Sequence, residues 1–158
     1  MTKPPLQILV DADACPVKDE VYKVAFRHDV PVAIVANAFL RVPDHPLIER
    51  IIVSDGFDAA DDEIAERANE TSIVITADIL LADRCLKKGA SVVAPNGKPF
   101  TADAIGGAIA TRAIMADLRA GIVSKGGDQV GGPPPFRKED RSRFLSSLDE
   151  TIVRLKRG

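Results

Sequence analysis

The sequence predicts an α/β domain: a mainly parallel sheet with helices on both faces, three layers deep, closed by a C-terminal helix. Three observations predict it. Short apolar runs, each long enough for one strand, alternate with segments of helical composition as far as residue 94. The runs are continuously apolar, as in strands of a parallel sheet covered on both faces. Aromatics are only 4% of the 158 residues and Trp is absent, so the core must come from Ala, Val, Ile and Leu, as sheet-and-helix layers allow.

The elements follow in order. Leu6 to Val10 reads as a buried strand. Pro16 opens a helix to about Arg27, because proline in a first turn lacks only an N–H that would be unpaired anyway. Val30 to Ala36 and Arg50 to Ser54 are the second and third strands. Asp58 to Asn69 is helical, with Ile64, Ala65 and Ala68 on one side. Ser72 to Thr76 is the fourth strand, Asp78 to Lys88 a helix stopped by Gly89, and Ser91 to Ala94 the fifth strand. Asn96-Gly97 signals a turn, and Thr101 caps a helix reaching about Arg119. The Gly- and Pro-rich stretch from Gly121 to Pro135 is a long loop, of a length usually reserved for function or disorder. Phe144, Leu148, Ile152 and Leu155 form one apolar face on the last helix, which should dock on the domain. The resulting division is an α/β body over 1–120, a loop over 121–137 and a docked amphipathic helix over 138–158.

A chain of this length forms one domain and buries roughly 70% of its unfolded surface, so it folds without disulfides. Cys15 and Cys85 lie in no CxxC or His-rich context, which argues against zinc and for buried thiols. No apolar run approaches the ~20 residues of a membrane span, and Met1 to Gln7 lacks a signal-peptide core. A reducing cytoplasm is the expected compartment, with no membrane association. The net charge of −2 divides into −5 over residues 1–124 (13 Lys and Arg, 18 Asp and Glu) and +3 over 125–158 (8 and 5). An acidic body and a basic tail suit metal and polyanion respectively, although ordinary surface charge explains the same numbers. The oligomeric state is not legible.

The chemistry concentrates in carboxylates at strand-to-helix junctions. Asp11 and Asp13 leave the carboxyl end of the first strand, the edge at which open α/β sheets bind ligands. Alternate residues of an extended segment share a face, so these two converge if the strand persists. In Asp58-Ala59-Ala60-Asp61-Asp62, three acids share one helical face, where like charges repel unless a cation or the helix N-terminus compensates. Asp78 follows the fourth strand, Asp83 lies a turn further on, and Thr76 is placed to bond a phosphate or a metal-bound water. The plain alternative at each junction is a helix cap, which suits Asp13, Asp58 and Asp78. Three junctions of one sheet that all bear Asp would crowd one rim and raise one another's pKa. Oxygen-only ligands favour Mg2+ or Mn2+, ions that activate water and stabilise charge at phosphorus.

The string Asp11-Ala12-Asp13-Ala14-Cys15-Pro16-Val17-Lys18 resembles the signature of the bacterial YaiI/YqxD family of uncharacterised proteins. So do Asp58-Ala59-Ala60-Asp61, Ile75-Thr76-Ala77-Asp78-Ile79-Leu80-Leu81-Ala82 and the later Gly131-Gly132-Pro133-Pro134-Pro135-Phe136 with Asp140 and Phe144. That family is similar in outline to PIN-like and NYN-like nuclease domains, which implies a three-layer PIN-like fold and Mg2+- or Mn2+-dependent cleavage of RNA or DNA. On this resemblance Asp11 and Asp78 are the strand-end acids, Asp58 or Asp61 the middle acid, and Asp83 the further one; strand alternation adds Asp13 as a ligand candidate. The tail after residue 120 departs from the nuclease outline.

Three functions emerge as expectations. The first is metal-dependent phosphodiester hydrolysis of RNA or single-stranded DNA, with Lys18, Thr76, Lys125, Arg137, Lys138, Arg141 and Arg143 as phosphate contacts. The second is a non-catalytic nucleic-acid-binding or regulatory module that keeps the acidic rim. The third, a haloacid-dehalogenase-type phosphatase with Asp11 as nucleophile, is disfavoured by chain order, because the acidic cluster precedes Thr76 instead of following it.

Overall fold

A computed structural model describes residues 5–54, 56, 58–101 and 137–157. The helix expected from Thr101 to Arg119, the Gly- and Pro-rich stretch and the phosphate-contact candidate Lys125 lie outside them. Five strands form one sheet: β1 (Gln7–Asp11), β2 (Val32–Ala36), β3 (Ile48–Ile52), β4 (Ser72–Ile75) and β5 (Ser91–Val93). Their order is β3-β2-β1-β4-β5, and every pairing is parallel. The helices are α1 (Lys18–His28), α2 (Ala59–Arg67), α3 (Ile79–Lys87) and α4 (Lys138–Arg157). The α/β class, the parallel sheet flanked by helices and the C-terminal helix are as the sequence predicts.

The two-residue period of the strands sorts their side chains into two cores. Ile8, Val10, Ile34, Ile73 and Ile75 face α1 and α4, where they meet Val21, Val24 and Ala25 and then Phe144, Leu148 and Ile152. Leu9, Val35, Val74 and Val92 face α2 and α3, against Ile64, Ala65, Leu81 and Ala82. Cys15 belongs to the first layer and Cys85 to the second, on opposite faces of the sheet, and both thiols are free. Burial pushes both thiols up, Cys85 to about 11, so neither is a ready nucleophile.

Several boundaries move by one or two residues, and three of the shifts have a local cause. α1 starts at Lys18, with Val17 as its N-cap, and Pro16 precedes it. The cause is local: a residue before proline is held extended, and Cys15 sits at φ −107, ψ 105. β1 ends at Asp11 and Ala12–Ala14 turns as a single 3-10 helix, so the extended alternation does not reach Asp13. β3 begins at Ile48, ahead of the expected Arg50, because Glu49 and Arg50 are exposed on an edge strand and break its apolar run.

Helix α4 packs on the α1 side of the sheet. Phe144, Leu148 and Ile152 are fully buried, and each such side chain is worth roughly 1.5–3 kcal/mol removed from water. At its start Arg141 Nη1 donates to Glu20 Oε2 (2.9 Å) and Arg143 Nη1 to the Asn96 carbonyl (3.2 Å). At its end Lys156 Nζ donates to the His28 carbonyl (2.8 Å). It therefore runs alongside α1 in the same direction, from the carboxyl edge of the sheet to the amino edge. Between them, Arg27 and His28 both reach Asp149 Oδ1, at 2.8 and 2.6 Å. The Asn96-Gly97 turn lies under α4: a Cβ on Gly97 would fall 2.6 Å from the backbone carbon of Arg143 and the nitrogen of Phe144. No helix among the described residues is long and apolar enough to cross a membrane.

Candidate functional site

From β1 the chain builds outward through β2 to β3, then crosses to β4 on the other side of β1. Such a reversal leaves a crevice outside the carboxyl ends of the two strands that flank it, the usual ligand position in open α/β sheets. Asp11 is the last residue of β1, and Thr76 and Asp78 follow β4, so the crevice is acidic by construction. Along β1, Leu9 faces the α2 and α3 layer, and by parity Asp11 points the same way.

A buried hydroxyl ties the two junctions together. Thr76, 2% exposed, donates through Oγ1 to Asp11 Oδ2 (2.9 Å) and accepts the backbone N–H of Asp78 (3.0 Å). The single hydroxyl proton is thereby committed, and the expected phosphate contact at Thr76 is not made available by this geometry. Thr76 instead positions Asp11. Asp78 is the N-cap of α3: its Oδ1 accepts from the backbone nitrogens of Leu80 (2.9 Å) and Leu81 (3.1 Å). The cap alternative is thus realised at Asp78, with one carboxylate oxygen.

Helix α2 brings the third acid. Its first turn starts at the same edge and carries Asp61 and Asp62. Asp61 is pushed up to about 6, by burial first and then by the charges of Asp78, Asp11 and Asp58, with Arg84 opposing. The carboxyl of Asp11 is also pushed up, by burial above all and by Asp13 and Asp78, against the lowering bond from Thr76. Asp11, Asp61 and Asp78 therefore feel one another across the crevice.

The remaining acids behave differently. Asp58 occupies the N-cap position of α2 in a left-handed conformation (φ 66) and makes no capping bond through its side chain. Asp62 pairs with Arg84 across α2 and α3 at 3.0 Å. Asp13, exposed on the 3-10 turn, is not brought beside Asp11 by strand alternation. The Asn37 amide, in the orientation that satisfies its hydrogen bonding, donates to both Asp13 oxygens at 2.9 and 3.2 Å. Asp83 is ion-paired with Lys87 one helical turn on, at 3.0 Å. Five residues past Asp78 is about 140° around an α-helix, which turns Asp83 away from the crevice.

Of the basic candidates, Lys18 Nζ donates to the Cys15 carbonyl (3.1 Å), Arg141 is held by Glu20, and Arg143 also reaches Asp140 (3.2 Å). Arg137 and Lys138 are exposed where α4 begins, at the carboxyl edge. Sequence reasoning missed Asn37 and Glu20. Asn37 carried a signal, a polar residue directly after the buried run of β2, much as Asp11 follows the apolar run of β1. Glu20 is 6% exposed, and nothing in its helix marks it as buried.

The donor chemistry suits a hard divalent cation: carboxylate oxygens only, mutually repelling, at a ligand-binding edge. Among the described residues no three His, Cys, Asp or Glu side chains converge as a ready-made cage. Mg2+ does not require one, since it keeps several waters and is bound through one or two carboxylates and substrate phosphates.

Known proteins agree with the signature strings. The family model described as "Uncharacterized BCR, YaiI/YqxD family" matches residues 9–154. A UPF0178 protein of Sphingopyxis alaskensis is 72% identical over 151 residues, covering 96% of each chain. UPF0178 proteins of Nitrobacter winogradskyi and Bradyrhizobium diazoefficiens are 60% and 57% identical, covering 97% and 99% of this chain and 94% and 91% of their own.

Proposed function

The chain belongs to the YaiI/YqxD family, and from that premise we propose that it is a divalent-metal-dependent nuclease acting on RNA or single-stranded DNA. One observation carries the reading: the Thr76 hydroxyl ties the Asp11 carboxylate to the backbone N–H of Asp78 at the switch point of the sheet, with Asp61 set against both charges. A cation relieves such crowding. Asp11, Asp61 and Asp78 would hold Mg2+ or Mn2+, and the ion when bound would stabilise the charge that develops at phosphorus.

The chain's own residues prepare the site. Thr76 fixes the orientation of Asp11, and the α3 backbone fixes Asp78. Asp61 holds a proton below about 6 and gives it up above. Among the described residues Arg137 and Lys138, exposed at the same edge, are placed to contact phosphate. A non-catalytic nucleic-acid-binding module is the second reading, and the structural duty of Asp78 as a helix cap favours it.

Cleavage of single-stranded oligonucleotides in Mn2+, with EDTA and Asp11→Asn controls, separates the two. We expect cleavage that EDTA stops and that Asp11→Asn reduces by at least about 100-fold, because an amide is a poor ligand for a hard cation. Full activity in a folded Asp11→Asn protein would move the chemistry elsewhere. Binding without turnover in the parent would leave the binding module.

A further inference from the structure

Three large apolar side chains are exposed among the described residues: Phe39 (70%), Leu80 (54%) and Ile52 (44%). All three lie at the carboxyl edge. Ile52 ends β3, Leu80 is in the first turn of α3 after Asp78, and Phe39 follows β2 by three residues. Apolar surface so placed gathers around the acidic crevice, whereas β2, which leads into Phe39, is buried along its whole length.

Phe39 is the most exposed of them and the most constrained. The Arg50 guanidinium lies over one face of its ring, 4.3 Å from the centroid. Arg50 Nη1 also donates to the carbonyl of Leu40, the next residue (3.2 Å). The cation–π contact and this bond brace the ring from one side, and its exposure leaves room on the other. The loop is tied to the crevice as well: Asn37, two residues before Phe39, donates to Asp13, itself two residues beyond Asp11. Two residues of chain reach at most about 7 Å, so the ring lies within a few nucleotides of the acids.

We infer that Phe39, braced by Arg50, is a stacking platform for an unpaired nucleobase of the strand presented to the acidic rim, an assignment that takes its substrate class from the nuclease reading above. A held aromatic ring with one open face binds any base of a single strand by its π-face. Bases inside a duplex already stack on their neighbours and cannot take it, so the platform selects single-stranded over double-stranded substrate.

The chain has no Trp, so Phe39→Trp places the one tryptophan, excited selectively at long wavelength, on the platform. In EDTA, which prevents turnover, a 12-nucleotide oligouridylate should quench its emission, while an abasic strand and a blunt duplex of that length should not. By fluorescence anisotropy, Phe39→Ala should weaken oligouridylate binding about 5- to 150-fold at fixed salt, and Phe39→Trp should retain it. Equal affinity of parent and Phe39→Ala, or equal quenching by the abasic strand, overturns the platform. If the parent cleaves in Mn2+ and Phe39→Ala binds and cleaves as well, the platform fails and the nuclease stands. Quenching and weakened binding without cleavage in the parent leave the platform and remove the nuclease. No binding to any of these strands in EDTA overturns the platform, and absence of cleavage in Mn2+ as well overturns both.

Discussion

Asp61→Asn should make the protein more stable at neutral pH. In the native state the Asp61 carboxyl rises from an ordinary 3.8 to about 6, through burial and the neighbouring Asp78, Asp11 and Asp58. The native state therefore binds the Asp61 proton more tightly than the unfolded chain. Stability falls as pH rises through that window, and the whole penalty is present above about 6. At 1.36 kcal/mol per pH unit the shift is about 3 kcal/mol. Asp61 is partly open to solvent, and screening reduces this to about 1 kcal/mol. For a chain of this size that is a rise in Tm of roughly 2–4 °C. The assay is thermal unfolding by circular dichroism in EDTA at pH 7.5 and at pH 4. The gain should be full at pH 7.5 and mostly gone at pH 4, where the parent carboxyl is already protonated. Mn2+ should narrow the gap at pH 7.5, since the ion relieves the same repulsion in the parent. No gain at pH 7.5, or an equal gain at both pH values, would refute the charge crowding on which the site rests.

Thr76→Val removes the hydroxyl that serves both Asp11 and Asp78. We expect about 1.5–3 kcal/mol of destabilisation in urea and lost cleavage, with Thr76→Ser restoring both; a neutral Thr76→Val would show that Asp11 needs no anchor. Gly97→Ala forces a Cβ to within 2.6 Å of the α4 backbone at φ +90. The expected cost is about 2–4 kcal/mol by urea titration, and a loss under about 0.5 kcal/mol would mean that α4 is not held at this turn.

The limits of the sequence lie in particular residues. The strand carrying Ile8, Leu9 and Val10 was legible because an apolar run that short has one economical use, a strand buried on both faces. Asp11 was legible for the related reason that a carboxylate directly after such a run must emerge at the sheet edge. Asp13 was not, because one 3-10 turn rotates it out of the strand's alternation, and such a turn leaves no periodic trace. Asp83 looked like a rim acid in one dimension, but helix phase and Lys87 take it away. Asp61 and Asp58 were indistinguishable by spacing, and burial together with the charges of Asp78 and Asp11 singles out Asp61.

The sequence by itself determined the layered α/β class, the alternation of strands and helices along the chain, and the family. Those properties are periodic or local, and a one-dimensional pattern records them. Tertiary structure decided which acids meet. The strand order β3-β2-β1-β4-β5 sets Asp11 beside Thr76 across 65 residues of chain. A carboxylate's pKa and its capacity to share a cation fall off with distance in space, and sequence separation carries no information about that distance.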